Sequence, residues 1–335
     1  MGEIAEIFDS LRKPVTKSDR KSGPYPYYGA SGVQDYVDSY LFDGRYLLVG
    51  EDGAKWGAGD KSAYIIEGKS WVNNHAHILK VRNNILDKYL EYYLVFSDLT
   101  EYITGAIVPK LTQKALCSIP IPIPPIDEQK RIVDELDLIT GIIDKKNAQL
   151  RDLDALALAI YHEMFDGHEE WQKGTIKDVY SFQYGKGNNI PEDKGNYPCY
   201  GSNGIVGHHI AYNSENAPVI GHIGAYAGIV NWASGKHYVT YNGVICRINE
   251  GYDPIYGLYL LKAQDYLNAA RRGGAQPFVS YDMLYDPCIF IPPYHLQNVF
   301  ANRVAVIDKE KKAISSSLID LNQLLSSRMD HYFND

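Results

Sequence analysis

Ile119-Pro120-Ile121-Pro122-Ile123-Pro124-Pro125-Ile126-Asp127-Glu128-Gln129-Lys130-Arg131 reads as an extended lead-in that turns into a helix. Prolines lack an amide donor and fix φ, so the chain stays extended through Pro125. Asp127 then reads as the N-cap and Glu128 as a first-turn acid that suits the helix dipole. Beyond it, apolar residues fall at Ile132, Leu136, Ile139, Ile143, Leu150, Leu153, Ala157, Ile160 and Met164, a heptad spacing interrupted where Lys146 takes a seam position. A stripe of that length predicts a coiled-coil helix, roughly 55 Å long at 1.5 Å per residue.

The same text returns 168 residues later: Pro124-Pro125 becomes Pro292-Pro293, Gln129 becomes Gln297, and Ile132, Leu136, Ile139, Leu150 and Leu153 become Phe300, Val304, Ile307, Leu318 and Leu321. Lys311 replaces Ile143 and Ile314 replaces Lys146, so each helix carries one seam lysine at a different level. Two matching stripes can bury each other; alone, each exposes its apolar face. The repeat reaches back to the start of the sequence. Gly2-Glu3-Ile4-Ala5-Glu6-Ile7 is matched by Gly174-Thr175-Ile176-Lys177-Asp178-Val179, and Tyr25-Pro26-Tyr27-Tyr28-Gly29-Ala30-Ser31-Gly32 by Tyr197-Pro198-Cys199-Tyr200-Gly201-Ser202-Asn203-Gly204.

Inside each copy, apolar runs at residues 46–49 and 218–220 predict buried strands, each running into a glycine loop: Gly50-Glu51-Asp52-Gly53-Ala54-Lys55-Trp56-Gly57 and Gly221-His222-Ile223-Gly224-Ala225-Tyr226-Ala227-Gly228. The glycines recur while the residues between them change, the pattern of one loop backbone presenting different side chains. Further strands are expected at 78–81 and 244–248, and helices at 89–99 and 256–267. The predicted fold is α+β: two globular α/β units related by a pseudo-twofold axis and separated by two long antiparallel coiled-coil helices. The expected boundaries are 1–122 and 167–290 for the globular units, 123–166 and 291–335 for the helices.

Composition is that of a globular protein, 45% hydrophobic and 22% charged, with mean hydropathy −0.29. No apolar run approaches the roughly 20 residues that a membrane helix requires, and residues 1–4 lack the basic start of a signal peptide, so a cytoplasmic location is expected. Cys117, Cys199, Cys246 and Cys288 form no C-x-x-C pair and the ten histidines no H-E-x-x-H, so no metal site is expected. The net charge of −8 sits awkwardly with nucleic-acid binding, which draws on lysine and arginine. The acid, however, is concentrated in the helices, while the loops hold basic pairs such as Arg20-Lys21 and Arg271-Arg272. Tyrosine is abundant, 28 against 9 phenylalanines, which suits either a recognition surface or tyrosine-rich strands.

Catalytic signatures fail on inspection. Ile291-Pro292-Pro293-Tyr294 resembles the proline motif of amino-methylating DNA methyltransferases, but begins with isoleucine where a hydrogen-bond acceptor is required. Gly68-Lys69-Ser70 has Ala63 where a P-loop needs glycine. Glu67 and Lys69 after Asp52 or Asp60 mimic a nuclease triplet that the second copy lacks. The chain is therefore expected not to be an enzyme.

The Ile121–Val133 lead-in, opening a heptad helix after a Gly/Tyr-rich α/β unit, with the whole arrangement duplicated, resembles the specificity subunit of type I restriction-modification systems, and the likeness covers essentially the entire chain. The resemblance implies two target-recognition domains, each reading one half of a bipartite asymmetric DNA site. It implies that the helix pair fixes the spacer and docks two modification (methyltransferase) subunits, with restriction/translocase subunits in the full complex. It implies no cofactor in this chain, S-adenosylmethionine being held by the partner methyltransferase. Base reading needs hydrogen-bonding side chains at groove depth. The DNA-binding candidates are Ser31, Lys55, Trp56, Asn73, Asn74, Lys110 and Gln113 in the first copy, and Lys186, Asn188, Asn189, Ser202, Asn203, Tyr226, Asn242, Arg271, Arg272 and Gln276 in the second. The competing reading is a bivalent adaptor for carbohydrate or protein, built on the coiled coil.

Overall fold

The computed structural model describes residues 1–187, 195–271 and 276–333. The chain divides into two compact units: residues 1–145 with 317–335, and residues 146–316. Each unit therefore contains one globular domain together with one stretch of each long helix.

In the first unit six strands, β1 (Ala5–Ile7), β2 (Tyr25–Gly29), β3 (Gly32–Val37), β4 (Phe42–Gly50), β5 (Ala63–Val72) and β6 (Ala76–Val81), form one sheet in the order β1-β6-β4-β5-β2-β3. All pairings are antiparallel except β2 with β5, where Tyr27 lies beside Trp71 and Tyr28 beside Val72. Helices α1 (Asp87–Phe96) and α2 (Gln113–Ser118) follow, and then the long helix α3 (Ile126–Phe165) begins. Leu47, Val49, Leu79, Leu90, Leu94, Leu111 and Leu116 are buried together, and the start of α3 closes this core with Ile132 and Leu136.

The second unit repeats the plan. After β7 (Gln172–Thr175) and the short α4 (Ile176–Val179) come β8 (Tyr180–Tyr184), β9 (Tyr197–Gly201), β10 (Gly204–His209), β11 (Ser214–Gly221), β12 (Val230–Val239) and β13 (Gly243–Ile248). Their order is β10-β9-β12-β11-β13-β8, the first sheet read from its other edge, and the parallel pair recurs at β9 with β12. Helices α5 (Pro254–Ala263), α6 (Tyr266–Arg271) and α7 (Tyr281–Tyr285) lead to β14 (Cys288–Ile291), which pairs with β7, and to α8 (Tyr294–Phe333).

Both long helices contain 40 residues. Within the first unit Glu135 meets Arg328 (2.8 Å) and Arg131 meets Tyr332 (3.4 Å); within the second, Tyr161 packs on Phe300 and Asp154 meets Lys311 (2.5 Å). Rising numbers in α3 match falling numbers in α8, so the segments are antiparallel. Seam lysine Lys311 is thus neutralised by an acid on the facing helix.

Four local expectations are corrected. Asp127 is not the N-cap: α3 already starts at Ile126, and the Pro125 carbonyl accepts from Glu128 N–H (2.9 Å) and Gln129 N–H (3.0 Å). Pro293 does the same for α8, accepting from Leu296 N–H (3.0 Å), so the second helix needs no aspartate. The expected helix at 256–267 starts at Pro254 and breaks after Ala263, because Asp265 adopts φ of +50°, and α6 begins anew. Its counterpart at 89–99 starts at Asp87 and ends at Phe96, where Asp98 Oδ1 turns the chain by accepting from Thr100 N–H (2.9 Å). Toward the end of α3 Ala157 is buried as expected, but beyond it Tyr161 and Phe165 are buried in place of Ile160 and Met164, which are only partly covered, and both rings pack against Tyr256 and Phe300.

Candidate nucleic-acid interface

Each unit gathers its variable loops around one residue that follows β4 or β11. In the first unit that residue is Glu51. Its N–H donates to the His75 carbonyl (2.8 Å) and its carbonyl accepts from Leu111 N–H (2.8 Å), tying the loop after β4 to the β5–β6 turn and to the segment before α2. In the second unit the residue is His222. Its N–H donates to the Asn242 carbonyl (2.8 Å) and its carbonyl accepts from Val279 N–H (2.9 Å). The backbone knots are the same, yet one copy holds a carboxylate and the other an imidazole.

Around that shared backbone the chemistry diverges. The Glu51 carboxylate is buried and bonds to Arg12 and, at 2.7 Å, to Lys110 Nζ. Burial alone would raise its pKa; the Lys110 and Arg12 hydrogen bonds outweigh that and hold the carboxyl below its ordinary value. Beneath it, His77 Nδ1 lies 2.5 Å from Asp9 and His77 Nε2 2.7 Å from the Leu111 carbonyl. Asp9, Glu51 and His77 are close enough to share a cation. Arg12 and Lys110 already supply the positive charge, so the trio reads as a paired network rather than as a metal centre. His222, by contrast, is stacked at 4.2 Å on Tyr184, which is itself stacked at 4.2 Å on Tyr281. His222 Nδ1 donates to the Tyr241 carbonyl at 2.9 Å.

The candidates sort unevenly onto these clusters. Ser31, Lys55, Asn74 and Gln113 are exposed, at the β2–β3 turn, in the loop after β4, at the β5–β6 turn and at the start of α2. Trp56 is corrected to a core residue: it is 7% exposed and its indole N–H donates to the Gly50 carbonyl (3.0 Å), stapling the loop to the sheet. Asn73 is corrected as well. At 2% exposure, its amide donates to Gln34 Oε1 (3.2 Å) and its Oδ1 accepts from His75 N–H (2.8 Å), so it shapes the turn that displays Asn74. Lys110 is partly exposed, but its ammonium is engaged by Glu51 at 2.7 Å. Arg20 is likewise engaged, with Asp35 at 3.2 Å and the Tyr27 ring at 4.1 Å.

In the second unit Lys186, Asn203, Tyr226, Asn242, Arg271 and Gln276 are exposed. The Ser202 hydroxyl lies within hydrogen-bond distance of both the Ile223 (2.7 Å) and Asn242 (2.8 Å) carbonyls and shares its one proton between them, which joins the β9–β10 turn to the two neighbouring loops. Lys186 N–H donates to the Val239 carbonyl (3.1 Å), and Gln276 precedes Pro277, whose carbonyl accepts from Gly224 N–H (2.9 Å), so both belong to the cluster. Asn188, Asn189 and Arg272 lie outside the described residues.

Sequence reading missed Arg12, which approaches Glu51 from 39 positions away, and Tyr184 and Tyr281, which only the fold brings to His222. The pairing of Glu51 with His222 was visible in the glycine-loop alignment. Much of the tyrosine excess is core, since Tyr27, Tyr89, Tyr180 and Tyr256 are fully buried.

The fold and its loop clusters define an internally duplicated α+β protein that presents one variable loop set in each unit. The model of the type I restriction modification DNA specificity domain matches residues 1–152 and again 168–321, and the chain belongs to that family. It is similar to a type I restriction enzyme specificity subunit of Haemophilus influenzae, 39% identical over 145 residues, covering 42% of this chain and 37% of that protein. It is also similar to the EcoprrI specificity subunit of Escherichia coli, 28% identical over 159 residues, covering 46% of this chain and 38% of that one. These matches thus cover less than half of the relatives' own length. In fold it is similar to the type I restriction-modification S subunit of M. genitalium, with TM-score 0.53 and 14% identity over 99% of this chain and 96% of that one. Among the described residues no helix is long and apolar enough to cross a membrane.

Proposed function

We propose that this chain is the DNA-reading subunit of a type I restriction-modification complex. Each loop cluster reads one half of a bipartite, asymmetric duplex site, and the helix pair fixes the unread spacer and docks two methyltransferase subunits. The methyl donor, S-adenosylmethionine, is bound by those partners, and this chain contributes recognition rather than chemistry; restriction/translocase subunits complete the assembly. The observation that carries the reading is the Glu51/His222 pair: identical backbone knots hold different side chains, as two readers of different half-sites require. Exposed Lys55, Asn74 and Gln113 on one cluster, and Lys186, Asn203, Asn242 and Gln276 on the other, are donors suited to base edges and phosphates. Two helices of 40 residues, about 60 Å each, exceed the 34–36 Å helical repeat of B-DNA and can bridge an unread spacer.

The test is reconstitution with a modification subunit and S-adenosylmethionine, followed by mapping of methylated adenines across a genome. One bipartite motif with a fixed gap is expected. A complex that binds duplex DNA with no dependence on salt, or none at all, overturns the proposal in favour of a bivalent adaptor, because phosphate contacts make affinity fall steeply as salt rises.

A further inference from the structure

The loop 105–109, Gly105-Ala106-Ile107-Val108-Pro109, carries an apolar tip into solvent. Ile107 is 95% exposed, the most exposed large apolar side chain among the described residues, and Val108 is 60% exposed. Such a tip on a slack loop would fold back onto the nearest apolar surface. This one is held away. Thr104 and Lys110 exchange two backbone hydrogen bonds (2.9 and 2.8 Å) at its base, and Thr104 Oγ1 donates to the Lys110 carbonyl (3.3 Å). Gly105 adopts φ of +97°, and a Cβ there would run into the Val108 carbonyl, so the tight closure needs glycine. Below the base, Lys110 Nζ bonds to Glu51 (2.7 Å), and the fully buried Leu111 donates its N–H to the Glu51 carbonyl. The tip therefore stands on the same knot that displays Lys55 and Asn74.

Shape and surroundings decide what it meets. A protein-docking face spreads apolar surface over several hundred Å² and centres on aromatic or arginine anchors. Here the large exposed apolar side chains are only Ile107 and Val108, and the loop closes below them between the polar Thr104 and Lys110, with exposed Gln113 and Lys114 following a few residues on in sequence. A narrow aliphatic projection that rises from the loop cluster displaying Lys55 and Asn74 matches the wedges that proteins press between base steps, partly unstacking them and bending the duplex.

We infer that Ile107 and Val108 form an apolar wedge that enters one base step of the half-site read by the first unit and partly unstacks it, adding shape-dependent specificity to the base contacts around it. The inference rests on the DNA-reading function proposed above. It makes the first half-site sensitive to a step that no polar side chain touches, since flexible pyrimidine–purine steps open most easily.

The test uses the full chain reconstituted with a modification subunit, on duplexes of its mapped motif with 2-aminopurine at successive positions. Fluorescence is expected to rise at one step of one half-site, apart from the methylated adenine that the methyltransferase itself extrudes. The double variant Ile107→Ser, Val108→Ser is expected to lose that rise and to bind roughly tenfold to a hundredfold more weakly, the scale of one stacking contact. A mismatch at the same step is expected to restore much of the variant's affinity, because the unstacking is then already made. Unchanged melting temperature and subunit stoichiometry exclude misfolding as the cause. If the variant binds and methylates as the parent does with its fluorescence profile unaltered, or if its defect is failure to assemble with the modification subunit, the wedge is overturned. If the parent complex itself binds no DNA, the underlying function fails with it, and the parent complex alone reveals that.

Discussion

Gln129 and Gln297 occupy matching places in the two copies and are among the most buried polar side chains of the protein. Gln129 Oε1 accepts from Leu86 N–H (2.9 Å) while its amide donates to the Pro124 (2.8 Å) and Asn84 (3.2 Å) carbonyls; Gln297 accepts from Asp253 N–H (2.9 Å) and donates to the Pro292 carbonyl (3.0 Å). Each glutamine thus locks the proline lead-in to the turn that starts α1 or α5. Replacing Gln129 by leucine leaves those groups without partners, and a loss of about 1–3 kcal/mol is expected in denaturant unfolding, with unchanged slope. Glu51 offers a test by pH. Its folded pKa is depressed below the ordinary 4.5. Its contribution is therefore complete above that value and disappears as pH falls through the folded pKa. The Glu51→Gln variant should be less stable than the parent at pH 7, and the gap should close in acid below about pH 4.5; a gap that stays constant with pH removes the ion-pair account. Repetition made the two glutamines legible in the sequence, but their work was not, because the turns they tie to the lead-ins sit more than 40 positions away.

At the scale of elements, the extended proline lead-ins and the existence of two long helices were read correctly because periodicity and missing donors are local facts, whereas the seam beyond Ala157 was not, because Tyr161 and Phe165 are drawn to Tyr256 and Phe300. The breaks near Gln264 and Ser97 were not, because they depend on Asp265 adopting positive φ and on Asp98 turning back to Thr100. Asp253 caps α5 by accepting from Ile255 N–H (2.8 Å) and Tyr256 N–H (3.1 Å), with Pro254 in the first turn. Asp253→Ala should cost about 1 kcal/mol in thermal or chemical unfolding, the usual value of a lost N-cap. The helix seam is firmer. Phe300 is fully buried against Tyr161, Phe165 and Tyr259, and Phe300→Ala should cost about 3–5 kcal/mol, detectable as a large fall in the melting temperature.

Across the whole molecule, duplication separates what is fixed from what is free to vary. The two sheets share strand order and the β2/β5-type parallel pair, and the two loop clusters share the Glu51/His222 knot, so exposed loop residues can change at little cost to folding. Lys55→Ala, Asn74→Ala and Gln113→Ala should each alter stability by less than about 0.5 kcal/mol. In methylation mapping they should relax or shift only one half of the motif. A change in both halves, or in neither, contradicts independent reading by the two units.

The sequence by itself determined the duplication, the long helices with their proline entries, the α+β class and the family resemblance, because each is written in short-range spacing repeated once along the chain. Only the tertiary structure decided which loop residues face outward. Trp56 and Asn73 look like readers in sequence but are buried, since a loop must spend some of its own polar and aromatic side chains on holding its shape. Arg12, Tyr184 and Tyr281 look unremarked in sequence yet meet Glu51 and His222, because a sheet brings together strands that are far apart along the chain.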